Sequence, residues 1–298
     1  MSWLEPQLVE APRQRLDALL REGSASLAAA GVDTPLTDAR RLLSAATGCS
    51  AADLIARPEQ LVGARELSRY TAMIVRRSRR EPVSRILEER EFFGRSFRVT
   101  PNVLDPRADS ETLIEEALAI ADRMGWRQRP IRILDIGTGS GALLITLLAE
   151  LPLATGLGTD TCQEALAIAA ANAEQNGVVA RATFTKADAL QGIVGPFDLV
   201  VCNPPYIPSA DIAGLSAEVR AYDPLTALDG GTDGLDVYRK IIPQLARVLP
   251  CGVLLVEVGA GQAVAVSALL AGEFSSALVR TRRDLGGHER CVAMEIQL

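Results

Sequence analysis

Residues 131 to 141 read Ile-Arg-Ile-Leu-Asp-Ile-Gly-Thr-Gly-Ser-Gly, and the apolar stretch Ala142 to Glu150 follows directly. A mainly apolar run, a glycine-rich turn and a helical pattern predict a strand that turns sharply into a helix. Glycine adopts backbone conformations that other residues avoid, so the helix N-terminus can lie close to a ligand. Similar runs alternate with helical patterns further along the chain, at Ala154 to Thr159, Ala182 to Thr185, Phe197 to Cys202, Val253 to Val258 and Arg290 to Ile296. This alternation predicts an α/β fold with a largely parallel sheet.

Acidic residues follow the second and third of these runs. Asp160 stands 23 residues after Gly137, at the spacing expected of an acid that binds ribose hydroxyls, and Asp188 follows the third run. The alternative is that both acids only cap helices. Together with the glycine turn, they predict a site for a nucleoside-like cofactor at the strand ends.

The fourth run ends in the turn Asn203-Pro204-Pro205-Tyr206-Ile207. Two consecutive prolines fix two φ angles and remove two backbone donors, so the strand must end in a rigid turn. The turn offers mainly acceptors, which are the Asn203 side-chain oxygen and the backbone carbonyls, beside the Tyr206 ring. A planar NH2 group needs two acceptors, and open α/β sheets bind ligands at the carboxyl ends of their strands. The sequence therefore predicts a site for such a group here.

The composition excludes several classes of protein. The 298 residues carry a formal net charge of −6, one histidine and five scattered cysteines. A single histidine and no Cys-x-x-Cys pair leave no basis for a metal site, and the lack of a histidine base disfavours hydrolysis. The acidic balance argues against a broad nucleic-acid surface. Because the sequence shows no signal peptide and no transmembrane run, we expect a cytoplasmic protein with free thiols and no membrane partner.

Three segments are predicted along the chain. Residues 1–80 read as a helical bundle that begins at about Ala11, residues 81–107 as a linker with a hairpin around Gly94, and residues 108–298 as the α/β domain. Within the bundle, Thr37 and Asp38 are predicted to cap a helix over Ala39 to Ala46. The bundle carries no recognisable chemistry, so we expect it to recognise the substrate.

The first 80 residues are more basic than the rest of the chain. They hold 12 arginines and nine acidic residues, an excess of +3, most of it in Arg76-Arg77-Ser78-Arg79-Arg80. One interpretation is a solvated helix end whose cations complement the helix dipole. The other is a contact patch for an RNA-containing or acidic partner.

The two strand-end motifs carry a family resemblance. Leu134 to Gly141 resembles the first motif of S-adenosylmethionine-dependent methyltransferases, and in that superfamily an Asn-Pro-Pro-Tyr turn marks enzymes that methylate a nitrogen on an sp² centre. Further segments, Glu81 to Arg107, Ala227 to Arg239 and Glu257 to Gln262, are similar to the bacterial release factor glutamine methyltransferases, also called the HemK or PrmC family. The resemblance covers about residues 80–298 closely, and the helical part matches in length and type.

The resemblance implies a Rossmann-like class I methyltransferase domain with a seven-stranded, mostly parallel sheet and a small N-terminal helical bundle. It implies S-adenosyl-L-methionine as cofactor, S-adenosyl-L-homocysteine as product, and methylation of the glutamine in the Gly-Gly-Gln loop of class 1 peptide chain release factors. We expect a monomer with no direct requirement for nucleic acid. The implied cofactor contacts are Gly137, Thr138, Gly139, Ser140, Gly141, Asp160, Asp188, Ala189 and Asn203. The implied substrate contacts are Asn203, Pro204, Pro205, Tyr206, Phe92 and Arg107, with Asn203, Pro204 and Tyr206 in the catalytic role.

Two segments depart from the family pattern. Where the family usually has Leu-Ile-Pro-Arg-Pro-x-Thr-Glu, this chain has Asp105 and Ala108 in place of an apolar residue and a proline. Ala189 replaces the usual aromatic residue after the third-strand acid. We expect these changes to affect the packing around adenine and not the reaction.

Three other functions remain open at this level. A sister family with the same turn methylates glutamine on a ribosomal protein, and related enzymes methylate adenine in nucleic acid, usually with a basic groove or a target-recognition domain. A non-catalytic scaffold that binds RNA through its arginines is the third.

Overall fold

The computed structural model describes residues 13–296, which divide into two compact units between Leu87 and Glu88. The predicted start of the bundle at Ala11 lies outside the described residues. Within residues 13–296, no helix is long and apolar enough to cross a membrane.

The first unit is a helical bundle with one short strand pair. Its helices are α1 (Leu16–Ala29), α2 (Pro35–Thr47), α3 (Ala51–Ala56), α4 (Ala64–Ser78) and α5 (Val83–Leu87), and its strands are β1 (Gln14–Arg15) and β2 (Leu61–Val62). Apolar side chains at helical spacing form its core, among them Leu16, Leu19, Leu27, Leu42, Leu43 and Tyr70. The helical character predicted for this region is therefore present.

The start of α2 corrects one prediction. The helix begins at Pro35, before the predicted caps Thr37 and Asp38, because proline suits the first helical position. Asp38 lies in the first turn and accepts a hydrogen bond from the Thr34 hydroxyl at 3.1 Å. The side chain that does cap a helix here is Ser50, which forms a reciprocal capping box with Asp53 at the start of α3.

Two of the clustered arginines are held inside the first unit. Arg77 is buried, and its Nε donates to Asp38 Oδ2 at 2.7 Å. Arg76 lies in the last turn of α4 and pairs with Glu81 at 2.6 Å. Part of the basic cluster is therefore structural.

We expect Asp38→Ala to lower the free energy of unfolding by about 3–5 kcal/mol, because it removes the carboxylate that neutralises the buried Arg77 guanidinium. Denaturant titration followed by circular dichroism measures the change. The matched control is Asp17→Ala, which breaks a more exposed pair with Arg15 and is expected to lower the stability much less, because solvent screens exposed ion pairs. Equal losses in the two variants would contradict a special role for the buried pair.

The second unit begins with a hairpin. Strands β3 (Glu89–Phe92) and β4 (Arg95–Arg98) pair antiparallel across Phe93 and Gly94, both of which have positive φ. Two consecutive residues with positive φ match the twist of a two-residue hairpin turn. The hairpin predicted around Gly94 is thus present.

The rest of the second unit alternates strands and helices. The helices are α6 (Glu111–Arg123), α7 (Ala142–Glu150), α8 (Gln163–Gln175), α9 (Ala217–Tyr222), α10 (Asp236–Ile241), α11 (Leu245–Val248) and α12 (Ala263–Glu273). The strands are β5 (Arg132–Ile136), β6 (Thr155–Asp160), β7 (Ala182–Lys186), β8 (Leu199–Cys202), β9 (Gly252–Glu257), β10 (Leu278–Arg283) and β11 (Glu289–Ile296). Six of these strands match the predicted runs to within two residues or so, whereas β10 was not predicted.

These seven strands form one sheet in the order β10-β11-β9-β8-β5-β6-β7. The pairs from β9 to β7 are parallel, and β11 pairs antiparallel with both β9 and β10. The chain runs outward from β5 through β6 to β7 and then crosses to β8 on the other side of β5. The carboxyl ends of β5 and β8 therefore flank a topological switch point, where open α/β sheets bind ligands.

Helices cover both faces of the sheet. Along β9, Val253 and Leu255 belong to one core cluster and Leu254 and Val256 to the other. A strand buried on both faces reads as a continuous apolar run, which explains why the central strands could be recognised in the sequence. The edge strand β10 is half-exposed and rich in arginine, so it lacked that signal.

Candidate functional site

The glycine turn follows β5 and is held in place by the neighbouring strand. Gly137, Gly139 and Gly141 have φ of 71°, 55° and 82°, values that disfavour other residues. The Thr138 amide donates to the Thr159 carbonyl at 2.8 Å, and the Gly139 amide donates to Asp160 Oδ2 at 2.9 Å. The acid at the end of β6 therefore fixes the shape of the turn at the end of β5.

The two predicted strand-end acids have different environments. Asp160 also accepts from the Cys162 amide at 2.9 Å, which leaves lone pairs on both carboxylate oxygens for a ligand. Both oxygens of Asp188 instead accept from Lys240 at 2.6 Å, in a pair that is about half exposed. Neither acid caps a helix: the residue at the N-cap of α8 is Cys162, and no helix starts at Asp188.

A cleft of about 260 Å³ lies against the glycine turn. Its lining includes these predicted site residues: Gly137, Thr138, Gly139, Ser140, Asp160, Asp188, Ala189, Asn203, Pro204, Pro205 and Phe92. Gly141 is absent from the lining and lies beneath it, where a Cβ atom would come within 2.6 Å of Ile145 Cδ1. The lack of a side chain at Gly141 allows the backbone at the start of α7 to lie close to the side chains of Ile145 and Ala169.

A buried carboxyl lies under the glycine turn. Asp135 accepts a hydrogen bond from the Thr138 hydroxyl at 2.6 Å, whereas its Oδ1 has no partner within ordinary hydrogen-bond geometry. Burial raises the pKa of Asp135 to about 7, against the opposing effect of the Thr138 hydrogen bond. Asp135 lines neither cleft, so its unpaired oxygen indicates room for a buried water beneath the turn.

The turn that follows β8 presents acceptors to this cleft and to a second one. Asn203 and Pro204 line the first cleft and also a neighbouring cleft of about 350 Å³, which Tyr206 and Arg107 line as well. Within residues 13–296, no protein group donates to Asn203 Oδ1 or to the Pro204 carbonyl. The two acceptors expected for a planar NH2 group are therefore open.

Hydrogen bonds from several segments fix the position of this turn. The Ile207 amide donates to the Leu228 carbonyl at 3.0 Å, and Gln262 Nε2 donates to the Tyr206 carbonyl at 2.8 Å. Gln262 is oriented in turn by the Gly259 amide, which donates to its Oε1 at 2.9 Å. Leu228 and Gln262 belong to the segments Ala227 to Arg239 and Glu257 to Gln262, which resemble the family, so these segments hold the turn in place.

A buried glutamate stands behind the turn. Glu257 is 1% exposed at the end of β9, and it accepts hydrogen bonds from the Ser110 hydroxyl at 2.5 Å and from the Tyr206 hydroxyl at 3.2 Å. Asn203 Nδ2 donates to Ser110 Oγ at 3.0 Å. Burial raises the pKa of Glu257 to about 7, and it also raises the pKa of Tyr206 above its usual value.

The remaining predicted residues fall into two groups. Phe92 is buried at the wall of the first cleft and packs edge to face on Phe97, with ring centroids 6.1 Å apart. Arg107 lines the second cleft and pairs with Asp223. The divergent Asp105 is buried 3.7 Å from Arg90, and Ala189 lines the first cleft with a positive φ of 53°.

Four polar residues of the site had no role in the sequence analysis, namely Ser110, Lys240, Glu257 and Gln262. Glu257 carried a usable signal, because it is an acid at the carboxyl end of a buried strand, like Asp160 and Asp188. Ser110 carried no such signal, because it does not follow a strand. Within residues 13–296, no group of side chains could hold a metal ion.

The fold and the paired strand-end motifs define the class: this is a class I S-adenosylmethionine-dependent methyltransferase fold. Residues 18–87 match the family model of the PrmC N-terminal domain, and residues 119–216 match that of the methyltransferase small domain. Among solved structures, the hMettl16 catalytic domain in complex with MAT2A 3′UTR hairpin 6 has a TM-score of 0.52 at 18% identity, covering 80% of this chain and 86% of that chain. That likeness concerns the fold alone.

Curated relatives are similar over nearly the whole chain. The release factor glutamine methyltransferase of Bradyrhizobium diazoefficiens is 47% identical, over 94% of this chain and 94% of its own length. That of Rhodospirillum rubrum is 45% identical, over 93% of this chain and 84% of its own. The chain belongs to the release factor glutamine methyltransferase family.

The residues present fit the cofactor that this fold class implies. The glycine turn leaves a cleft at a helix N-terminus, and Asp160, which lines this cleft, keeps acceptor capacity for ribose hydroxyls. Ala189, in place of an aromatic side chain, still lines the cleft. The departure at Asp105 lies outside the lining of both clefts, where it pairs with Arg90.

Proposed function

We propose that this protein transfers a methyl group from S-adenosyl-L-methionine to the side-chain amide nitrogen of the glutamine in the Gly-Gly-Gln loop of class 1 peptide chain release factors. The observation that carries the proposal is the pair of open acceptors, Asn203 Oδ1 and the Pro204 carbonyl, beside the cleft at the switch point. The relatives are named release factor glutamine methyltransferases, which supports a release factor as the substrate.

An amide nitrogen is a poor nucleophile because its lone pair is delocalised into the carbonyl group. Bound S-adenosyl-L-methionine supplies an electrophilic methyl group. Asn203 Oδ1 and the Pro204 carbonyl accept the two N–H hydrogens of the substrate, which fixes the direction of the nitrogen lone pair. Their dipoles also stabilise the positive charge that grows on the nitrogen.

The other residues of the turn complete the substrate site. The Tyr206 ring packs against the planar amide, Pro205 keeps the turn rigid, and Phe92 and Arg107 line the approach to it. No strong base is needed, since the amide proton becomes acidic once the nitrogen carries a fourth bond. Gly137, Thr138, Gly139, Ser140, Asp160, Asp188 and Ala189 hold the cofactor in this proposal, with Gly141 as support for the turn.

The proposal also covers the partner of the enzyme, its oligomeric state and its location in the cell. The helical bundle, residues 1–80 in the predicted division, contributes to recognition of the release factor, residues 81–107 link it to the catalytic domain of residues 108–298, and the enzyme acts as a monomer in the cytoplasm. The role of the bundle rests on the match of residues 18–87 to the PrmC N-terminal domain, and the choice of partner rests on the relatives, which are named release factor glutamine methyltransferases.

A labelling assay tests the substrate. We expect the purified protein, with methyl-labelled S-adenosyl-L-methionine, to label a purified class 1 release factor and to leave unlabelled the variant with alanine for glutamine in its Gly-Gly-Gln loop. Ribosomal proteins, DNA and RNA are offered in parallel. Label that persists on the release factor variant, or that enters one of the parallel substrates instead, would overturn the proposal.

A further inference from the structure

Glu257 and Ser110 have no part in the proposed reaction, yet they contact two of the groups that do. Glu257 ends β9 and is 1% exposed, and Ser110 precedes α6 and is 4% exposed. The hydrogen bonds join Asn203 Nδ2 to Ser110 Oγ at 3.0 Å and Ser110 Oγ to Glu257 Oε2 at 2.5 Å. The other oxygen of Glu257 accepts from the Tyr206 hydroxyl at 3.2 Å.

The direction of this chain of hydrogen bonds follows from the chemistry of its end. An ionised carboxylate only accepts, so Ser110 must direct its single proton to Glu257. Ser110 Oγ then has only lone pairs left for Asn203, which must present its NH2 group. The Asn203 oxygen is thereby directed away from Ser110, in the orientation that leaves it open to a ligand.

The opposite orientation of the Asn203 amide would disable the site. Rotation by half a turn would aim an NH2 group at the substrate NH2 group, so that two donors would face each other. It would also place the Asn203 oxygen against the Ser110 oxygen, whose proton is already donated to Glu257. Each contact leaves a polar group unpaired, and such losses cost about 1–3 kcal/mol each.

We propose that Glu257 is a positioning residue that acts on both side chains of the substrate turn: through Ser110 it fixes the Asn203 oxygen toward the substrate nitrogen, and it holds the Tyr206 ring directly. The inference rests on the proposed function for the identity of the substrate. The orientation itself is a property of this chain without substrate.

Protonation of Glu257 removes the constraint. The charged and titratable groups that face Glu257 are Asp109, Arg290, Tyr206, Tyr238, Cys202 and Cys291. Burial and, to a smaller extent, Asp109 raise its pKa, the hydroxyl donors Ser110 and Tyr206 and then Arg290 lower it, and the result is about 7. The carboxylate is therefore ionised above about pH 7. Below that pH the protonated group can itself donate to Ser110.

The first test measures turnover on the release factor. We expect Ser110→Ala to lower kcat about tenfold, because the variant loses one hydrogen bond that orients a catalytic group. The KM for the release factor and the Kd of the cofactor should stay unchanged within about twofold. Ser110→Thr, which keeps the hydroxyl, restores most of the turnover. The control Thr112→Ala removes a buried hydroxyl two residues along, outside both clefts, and is expected to leave kcat unchanged.

A double-variant cycle tests whether Glu257 acts through Ser110. We expect Glu257→Gln also to lower kcat about tenfold or more. The double variant should then lose less than the product of the two single losses, since both changes interrupt one chain of hydrogen bonds. Fully multiplicative losses, or wild-type kcat in Ser110→Ala, would mean that Glu257 does not orient Asn203 through Ser110, and would overturn the inference.

The second test reads the amide itself and needs no substrate. In a proton–nitrogen correlation NMR spectrum, the side-chain NH2 signals of Asn203 should shift as the pH is changed, with a midpoint near pH 7. These signals are assigned by their absence from the spectrum of Asn203→Asp. Glu257→Gln should abolish this shift, and Asp135→Asn, which removes the other carboxyl with a pKa of about 7, should retain it. A shift that survives Glu257→Gln would overturn the inference. Failure of wild-type protein to label a release factor would instead overturn the proposed function alone.

Discussion

Replacement of Asn203 by alanine is expected to lower kcat by about 10²–10³-fold while the Kd of the cofactor changes by less than about threefold. The side chain contributes one of the two open acceptors, and its oxygen acts on charge that develops only as the new bond forms. Truncation leaves the cofactor turn intact, because that turn is held by Thr159 and Asp160. Single-turnover kinetics with the release factor, and calorimetry with S-adenosyl-L-homocysteine, measure the two quantities.

Asn176→Ala is the matched control for this prediction. Asn176 follows α8, donates to the Ser96 and Asn172 carbonyls, and lies outside the lining of both clefts. Its loss should reduce stability and leave kcat near the wild-type value. If Asn203→Ala instead lost cofactor binding and kept its turnover at saturating cofactor, the turn would be a structural element and not the substrate site.

Replacement of Asp160 by alanine is expected to raise the Kd of the cofactor about 10- to 100-fold, the range for loss of hydrogen bonds to a charged group. Two effects combine. The carboxylate has lone pairs open to ribose hydroxyls, and it also holds the Gly139 and Cys162 amides that shape the cleft. Calorimetric titration with S-adenosyl-L-homocysteine gives the Kd directly.

Asp188→Ala provides the comparison for Asp160. Both acids line the same cleft, but Asp188 is paired with Lys240 at an exposed position, where an ion pair contributes less than about 1 kcal/mol. We expect its loss to change the Kd less than about fivefold. A larger effect at Asp188 than at Asp160 would contradict the assignment of the ribose to the end of β6.

Local patterns were sufficient to predict six of the seven strands of the sheet and the two turns that follow β5 and β8. The central strands are apolar runs buried on both faces, and Gly137 to Gly141 and Asn203 to Tyr206 have backbone requirements that few sequences meet. Each of these features is determined by fewer than about a dozen consecutive residues. Alternation of strands with helices predicted a largely parallel sheet, because parallel strands need crossover connections. It left open the strand order, the switch point and the edge strand β10, which only the structure gives.

The supporting contacts could not be predicted in this way. Ser110 meets Glu257 across 147 residues, and Asp38 meets Arg77 across 39. Each partner has an ordinary local pattern, and only the folded chain decides which donor reaches which acceptor. For Asp38 the local interpretation as a helix cap was wrong, since the tertiary pair with Arg77 accounts for a buried acid at that position.

The two open acceptors of the substrate turn also bear on how the reaction ends. A primary amide brings two N–H hydrogens to Asn203 Oδ1 and the Pro204 carbonyl, whereas a singly methylated amide brings one. In the proposed arrangement the product therefore leaves one acceptor without a donor, and an unpaired polar group in a cleft weakens binding. The turn thus discriminates against its own product, which favours release after a single methylation.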